Sequence, residues 1–209
     1  MAGRGVAQLA VPLYAGMVLA WGFNYVAVRW GLAFASPLLL ALLRAVIGSV
    51  AMLAFLSATR ALGALDRRGR RDALLIGLPT TAIFYGLWFV AAGTVEPGLA
   101  SILVYTFPLW VSLLSGPVLG VLPRRNELAA VALGFVGVGL ATEPWRGSSG
   151  SIEASAELLL GAVSWAFGTV LFKRRFRGAE VQEANLYQLM GGSLALGAGV
   201  VLVGSVRFV

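Results

Sequence analysis

Apolar residues dominate seven long stretches of this chain, and short polar segments separate them. A helix rises about 1.5 Å per residue, so about 20 apolar residues are enough to cross a hydrocarbon core of roughly 30 Å. The pattern predicts membrane-spanning helices over residues 12–33, 37–57, 73–92, 99–120, 128–141, 156–172 and 184–203. We therefore expect an all-α membrane protein that is a multi-spanning helix bundle.

Part of the first stretch recurs later in the chain. Trp21–Arg29 matches Trp165–Lys173 at an offset of 144 residues, with Trp, Phe, Val and a closing base in the same positions. At this offset a second set also matches: Leu42, Gly48, Ser49, Ala51 and Ala54 align with Leu186, Gly192, Ser193, Ala195 and Ala198. Because the predicted helix 6 follows helix 1 by five spans, an odd number, the two copies should run in opposite directions. Secondary transporters use such inverted repeats to build a site near the bilayer midplane.

Composition supports a membrane protein and argues against several function classes. Of the 209 residues, 59% are hydrophobic and 12% are charged, whereas about a quarter of the residues in a soluble domain are charged. The chain has no cysteine and no histidine, so it lacks the commonest general base and metal ligand. A membrane-embedded hydrolase would need a Ser/Lys pair, and Lys173, the one lysine, lies at a helix end. We expect no enzyme activity, no metal and no cofactor.

The formal net charge of +7 comes from bases clustered between the apolar stretches. Clusters of this kind are typical of loops at a membrane surface, so we expect lipid and no nucleic acid as a partner. With a cytoplasmic amino terminus, twelve of the sixteen bases would lie inside: Arg4, five arginines of residues 60–71, Arg124, Arg125 and four bases of residues 173–177. Only Arg146 and Arg207 would lie outside. The bias predicts a multi-pass protein of the inner (plasma) membrane with its amino terminus in the cytoplasm.

Four motifs, in this order and spacing, carry a resemblance to a known family. They are Leu19–Val26, the turn Ser36-Pro37 followed by Arg44, Ala100–Leu103 leading to Phe107-Pro108-Leu109, and Gly134–Gly139. Together they resemble the EamA-type branch of the drug/metabolite transporter (DMT) superfamily. The resemblance implies ten helices arranged as five plus five, and export or exchange of small metabolites such as amino acids by alternating access. Where the family usually has Gly-Glu-Arg after helix 4, this chain has Gly120-Val121-Leu122, so no role of that Glu is carried over.

The resemblance also predicts how the chain is divided. Residues 1–142 would form a first EamA repeat of five helices, and residues 143–209 would form the first two helices of a second repeat. Three of the expected ten helices would then be absent. One interpretation is a permease for a small-molecule metabolite. The alternative is a truncated or partner-requiring half-module without transport activity of its own, for which a homodimer or another chain supplies the missing helices.

Polar and aromatic side chains inside the spans are candidates for the wall of a substrate cavity. Trp21 and Asn24 share one face of the first helix, and Trp165 is the repeat of Trp21. Tyr85 and Trp88 lie one turn apart and could form an aromatic wall, although Trp88 could instead belong to the aromatic belt at the membrane interface. The substrate-binding candidates are Trp21, Asn24, Arg44, Tyr85, Trp88, Tyr105 and Trp165.

Arg44 is the one formal charge well inside a predicted span. A guanidinium at mid-membrane costs roughly 2.5–3.5 kcal/mol on the most lenient scale, so it should face protein or water. Anion binding, snorkelling toward the interface and capping of backbone carbonyls all remain open for this side chain. Its counterpart in the second copy is Gln188, which is polar but neutral.

Helix 4 carries a polar stripe that we expect to face the interior of the bundle, formed by Ser101, Tyr105, Pro108, Ser112 and Ser115. Within it, Pro108 is predicted to kink the helix because it lacks a backbone donor. Small residues four positions apart predict close helix packing on helices 2, 5 and 7: Ala41, Ala45 and Ser49, Ala130 and Gly134, and Ser193 and Gly197.

Overall fold

The computed structural model describes residues 2–141 and 152–204, with side chains described from Ala10 to Leu140 and from Ile152 onward. Over these ranges the chain forms helices and short connections, without a β-strand. The seven helices of the described ranges are α1 (Ala2–Gly31), α2 (Pro37–Ala58), α3 (Arg67–Ala91), α4 (Pro97–Leu119), α5 (Arg125–Ala141), α6 (Ile152–Arg175) and α7 (Val181–Val203).

Each predicted apolar stretch corresponds to one of these helices. Six of them are long and apolar enough to cross a membrane, with mean hydropathies between 1.4 and 2.3 over the best window. The exception, α5, has 17 residues, which is at the short end of the range for a membrane-spanning helix. The prediction of an all-α, multi-spanning membrane protein is therefore confirmed.

A π-helical segment, Leu78–Ile83, interrupts the α-helical hydrogen bonding of α3. Pro79 is its second residue, and a proline inside a helix removes one backbone donor and displaces the carbonyl of the preceding turn. One carbonyl of this π-helical segment receives a hydrogen bond from α6, because Ser164 Oγ donates to Pro79 O at 2.8 Å. The irregular backbone is thus covered by protein rather than by lipid, as the membrane interior requires.

A second interruption divides α4 into Pro97–Val104 and Phe107–Leu119. Tyr105 and Thr106 lie between the two segments, and Thr106 Oγ1 donates to Leu103 O at 2.7 Å. Pro108 is the second residue of the second segment, where a helix lacks a backbone acceptor for its N–H in any case. The interruption therefore ends two residues before Pro108, the residue that was predicted to kink the helix.

Close packing of α2 against α7 forms the centre of the bundle. Ala41 and Ala45 are fully buried, and Ser49 Oγ lies 3.4 Å from Ser193 Oγ. These two serines are 144 positions apart, which is the offset of the sequence repeat. Equivalent residues of two repeats meet at a two-fold axis, so this contact is consistent with such an axis between α2 and α7.

Glycines allow α3 and α7 to approach each other even more closely. A Cβ atom on Gly77 would overlap the backbone of Gln188, and it would lie 2.7 Å from the amide nitrogen of Gly192. A Cβ atom on Gly191 would overlap the backbone of Leu74. No residue larger than glycine fits at these positions unless the two helices move apart.

The two copies of the repeat run in opposite directions through the bundle. At the end of α6, Arg175 Nε donates to Asp72 Oδ2 at 2.6 Å, beside the start of α3. We call this the basic end of the bundle, because the arginines at the start of α3 and the bases at the end of α6 lie there. In contrast, α1 finishes at the other end, where Gly31 packs against Leu40 in the first turn of α2.

The helices α2, α3, α6 and α7 form the core of the bundle, with α4 packed against α6, while α1 lies at the periphery. Only 6% of the apolar window of α1 is buried, against 44% for α3. The boundary between the predicted repeats at residues 142 and 143 lies outside the described residues, and so do the predicted outer bases Arg146 and Arg207. The division into 1–142 and 143–209 and the orientation of the amino terminus stay predictions.

Candidate functional site

A cavity of about 250 Å³ lies in the middle of the bundle. Side chains from α1, α2, α3, α4, α6 and α7 line it, so both copies of the repeat contribute to its wall. The structure brings all seven substrate-binding candidates together around this one cavity: Trp21, Asn24, Arg44, Tyr85, Trp88, Tyr105 and Trp165. That these residues bind a substrate stays a prediction.

Arg44 points into the bundle and toward the cavity. Its Nη1 donates a hydrogen bond to Asn24 Oδ1. The guanidinium carbon lies 5.1 Å from the centre of the Tyr85 ring and 5.3 Å from the centre of the Trp88 ring. Both distances are within the range of cation–π attraction. Of the three alternatives for Arg44, snorkelling toward the interface does not occur, and the amide oxygen of Asn24 has a partly buried hydrogen-bond partner within the spans.

Aromatic rings make up most of the remaining wall. Trp88 is in edge-to-face contact with Tyr25 at 5.4 Å between ring centres and is stacked on Phe84 at 5.7 Å. Its side chain is only 3% exposed, so it does not belong to an aromatic belt at the membrane interface. On the α1 side, Trp21 stacks on Tyr105 at 6.4 Å. The rings form a continuous apolar surface beside the guanidinium of Arg44.

Trp165 lies between two cavities. Its ring is stacked between Phe84, at 4.8 Å, and Phe107, at 4.0 Å. A second cavity of about 300 Å³ shares Thr80, Trp165 and Gln188 with the first. Its other lining residues, among them Thr169, Phe172 and Asn185, lie nearer the basic end, on the last turns of α6 and the first turns of α7. Together the two cavities extend from the middle of the bundle toward the basic end.

The expectation that the whole polar stripe of α4 faces the interior is wrong. Tyr105 reaches the cavity, but Pro108 is exposed. Ser101 Oγ donates to Gly98 O and Ser115 Oγ donates to Val111 O, both at 2.7 Å, so these hydroxyls satisfy carbonyls of their own helix. The interruption at residues 105 and 106 changes the helical phase, and positions spaced for one continuous helix then no longer share a face.

Several lining residues were not among the sequence candidates. Phe84 precedes Trp88 by one turn on the same face of α3, so helical spacing could have found it. Tyr25, Thr80 and Thr81 also line the cavity. Isolated threonines in an apolar helix give no comparable signal, because their hydroxyls can bond to the preceding turn, as Thr80 Oγ1 does to Ile76 O at 2.7 Å.

Sequence reasoning also missed Glu183, a charged residue at the basic end that is only 1% exposed. Its Oε2 accepts hydrogen bonds from the backbone N–H of Gly63 at 3.0 Å and of Leu65 at 2.9 Å. Arg70 Nη2 lies 3.5 Å from Oε1. Glu183 thereby holds the connection between α2 and α3 against the start of α7, and no local pattern signals a contact over 118 or 120 positions.

The fold and the site define a class of protein, a multi-spanning helical membrane protein with a polar and aromatic cavity in its middle. The chain belongs to the EamA-like transporter family, whose family model matches residues 8–142. This agrees with the resemblance that the sequence motifs indicate.

Curated relatives support the same assignment. The chain is 29% identical over 197 residues to the uncharacterized inner membrane transporter YedA of Escherichia coli (strain K12), covering 92% of this chain and 61% of the relative. It is 27% identical over 187 residues to the uncharacterized transporter YoaV of Bacillus subtilis (strain 168), covering 86% and 62%. The chain thus spans about three fifths of the length of these relatives. No solved structure matches the chain significantly.

Proposed function

We propose that this protein is a secondary transporter that exports or exchanges a small metabolite, such as an amino acid or a similar compound, by alternating access. The observation that carries the proposal is the cavity of about 250 Å³ in the middle of the spans, which residues of both repeat copies line. Inverted repeats that meet at a mid-membrane site are the usual construction of secondary transporters. The transporter family of the chain supports the same function.

In this proposal Trp165 separates the central cavity from the cavity toward the basic end. The ring is stacked between Phe84 and Phe107, and in this proposal the substrate passes when the stack opens. Because Phe84 belongs to α3, Phe107 to α4 and Trp165 to α6, a rocking motion of α6 against α3 and α4 would open it. Rigid-body movement of one repeat against the other is the general form of alternating access.

We place the basic end, and with it the amino terminus, in the cytoplasm, because bases concentrate on the cytoplasmic side of multi-pass proteins. The lack of cysteine in the chain makes a labelling test simple. Arg68→Cys, at the basic end, should react with an impermeant thiol reagent only after the cells are permeabilised. Gly98→Cys, at the opposite end, has no atom of another residue near its new side chain and should react in intact cells. The reversed pattern would contradict the orientation.

Transport itself is best tested in inverted membrane vesicles with a panel of labelled amino acids, small carboxylic acids and purine derivatives. We expect the wild-type chain to accumulate at least one member of the panel. Asn24→Ala and Trp165→Ala should lower the initial rate about tenfold, which corresponds to one lost contact of about 1.4 kcal/mol. Trp30→Ala is the matched control on α1, because Trp30 is 62% exposed and lies outside the cavity wall. Folded protein that moves no member of the panel would contradict the proposal.

A second candidate function is a half-module that requires further helices, from a second copy or from another chain. The observation in its favour is the exposed surface of α1, of whose apolar window only 6% is buried. The two candidates differ in one measurement. If the chain reconstituted alone as a monomer transports a substrate, the half-module is excluded. If transport appears only when a dimer or an added partner is present, the half-module is correct. Enzyme activity has no support from the cavity residues.

A further inference from the structure

The central cavity carries a net positive charge. Arg44 is the one charged side chain among the described residues that line it, and no Asp or Glu is among them. A guanidinium has five N–H donors, and the hydrogen bond to Asn24 Oδ1 uses one of them. The rings of Tyr85 and Trp88 lie beside the guanidinium, but they are neutral.

Neutral partners lower the energy of Arg44 without cancelling its charge. In the middle of the spans a guanidinium that meets only neutral groups is costly, and a negatively charged acceptor relieves that cost best. The planar fork of N–H groups matches a carboxylate, which it can bind through two parallel hydrogen bonds. A ligand that brings one carboxylate into this cavity would therefore complete the site.

The number of charges in the cavity limits the charge of the ligand. At the offset of 144 residues the counterpart of Arg44 is Gln188, and both residues line the same cavity. Only one of the two equivalent positions thus carries a cation. A second anionic group on the ligand would face a neutral amide instead of a charge. The arrangement favours a monoanion over a dianion.

The rest of the wall favours a ligand with a flat ring. Tyr25, Tyr85 and Tyr105 line the cavity and keep part of their ring surface exposed, and a ligand ring can pack against them by offset stacking or edge-to-face contact. At about 250 Å³, the cavity is smaller than the roughly 300–1,000 Å³ of sites for drug-sized ligands. A single ring with a short acidic side chain is of suitable size.

An amino group on the same ligand would be unfavourable here. The ammonium would enter a site that already holds Arg44, and the polar lining residues that could receive it, such as Thr81 and Gln188, are neutral. Two cations close together in a medium of low dielectric constant repel each other strongly.

Building on the proposed transport function, we infer that the cavity selects small monocarboxylates that carry an aromatic ring and no amino group, so that within the proposed class of small metabolites it disfavours amino acids. Arg44 is the residue that determines this specificity.

Four ligands of nearly equal shape test the inference on the purified full chain in nanodiscs. They are 3-phenylpropionate, phenylalanine, phenethylamine and 3-cyclohexylpropionate, and quenching of the tryptophan fluorescence reports binding. We expect 3-phenylpropionate to bind about tenfold more tightly than phenylalanine and phenethylamine not to bind measurably. The cyclohexyl acid should bind about three- to tenfold more weakly than the phenyl acid, since it cannot stack. Equal or tighter binding of phenylalanine or phenethylamine would overturn the inference.

Variants at Arg44 test the role of the charge. Arg44→Gln makes this position identical to its counterpart Gln188 and should weaken binding of 3-phenylpropionate about 10- to 100-fold, as expected for the loss of a hydrogen bond to a charged group. Arg44→Lys keeps the charge and should retain part of the affinity. Arg68→Gln, at an exposed position of the basic end, should bind like the wild type. Unchanged affinity in Arg44→Gln would contradict the inference. If that variant does not fold, the ligand order measured on the wild type decides.

The same ligands separate this inference from the proposed function. Selective binding of 3-phenylpropionate without movement across proteoliposomes would contradict transport and leave the specificity intact. Transport of amines or neutral compounds, with no binding of the aromatic acids, would support transport and contradict the specificity.

Discussion

The two copies of the repeated segment, α1–α2 and α6–α7, have similar sequences and very different surroundings. At the offset of 144 residues, Gly22 in α1 corresponds to Ala166 in α6. A Cβ atom on Gly22 would meet no atom within 4 Å, whereas Ala166 is fully buried. Gly48 in α2 and Gly192 in α7 differ in the same way, since only Gly192 is pressed against another backbone.

The difference arises from the helices between the two copies. α6 and α7 pack against α3, and α6 also packs against α4, so the second copy has neighbours on several sides. α1 meets the bundle mainly near Trp21, Asn24 and Val28. Burial of a membrane helix therefore depends on which partners surround it. The counterparts α6 and α1 have similar sequences, yet α6 belongs to the core and α1 to the periphery, whereas α2 and α7 both belong to the core. Four predictions test or refine this comparison.

The largest effect is expected for Gly192→Ala. Its Cβ atom would overlap Thr81 and lie 3.0 Å from Gly77 O, so α7 would have to move away from α3. We expect a loss of about 3 kcal/mol in the free energy of unfolding, measured by thermal denaturation in detergent. Gly48→Ala is the matched control, because its nearest neighbour, Leu189 Cδ1, is at an ordinary distance of 3.8 Å. Equal losses in both variants would contradict the comparison.

A somewhat smaller effect is expected for Ala166→Leu. The larger side chain has no room at this fully buried position, and overpacking costs about 2 kcal/mol. Gly22→Leu, which introduces the same side chain at the equivalent position of α1, should alter stability little, because the space around it is open. Denaturation of the two variants side by side measures the difference. A strong loss in Gly22→Leu would mean that α1 is covered by a partner under the conditions of the experiment.

Glu183 provides a third test, because its counterpart in α2 is the apolar Leu39 and the polar contact exists in one copy only. Glu183→Ala leaves the N–H groups of Gly63 and Leu65 without their acceptor and should cost about 1–2 kcal/mol. Amide hydrogen exchange of these two residues should accelerate. The control is Glu153→Ala, at an exposed position of α6, which should leave their exchange unchanged. Unchanged protection in Glu183→Ala would show that the contact does not hold this connection.

The smallest effect concerns pH and the turn before α7. The pKa of Glu180 is lowered from 4.5 by hydrogen bonds from its own backbone N–H and from those of Arg177 and Gly178. A lowered pKa means that the carboxylate stabilises the turn above pH 4.5 and that this contribution is lost as the pH falls through the lower folded value. The protection factors of the Arg177 and Gly178 amides, which correct for the intrinsic pH dependence of exchange, should therefore fall below pH 4.5. The equivalent turn before α2 carries Ser36, which does not titrate, and its protection factors should not change.

The candidate site could be predicted to a large extent because of a general constraint in membranes. Asn24 and Arg44 are polar groups inside apolar spans, and such groups must face protein or a cavity. Phe84 and Tyr25 were not among the candidates, because an aromatic side chain in an apolar helix can face either the lipid or the protein interior. The stripe on α4 was predicted incorrectly since it assumed a continuous helix, and the interruption at Tyr105 and Thr106 removes that assumption.

By itself, the sequence determined the helices, the membrane class, the repeat and most of the polar candidates, because hydropathy and spacing are local properties. Only the tertiary structure decided that Arg44 pairs with Asn24, that Trp165 stands between two cavities and that Glu183 holds a distant connection. Each of these depends on which helix faces which. Which helices face each other depends on where they can approach closely, as at Gly77, and on the summed energy of all contacts. No single stretch of sequence specifies this pairing.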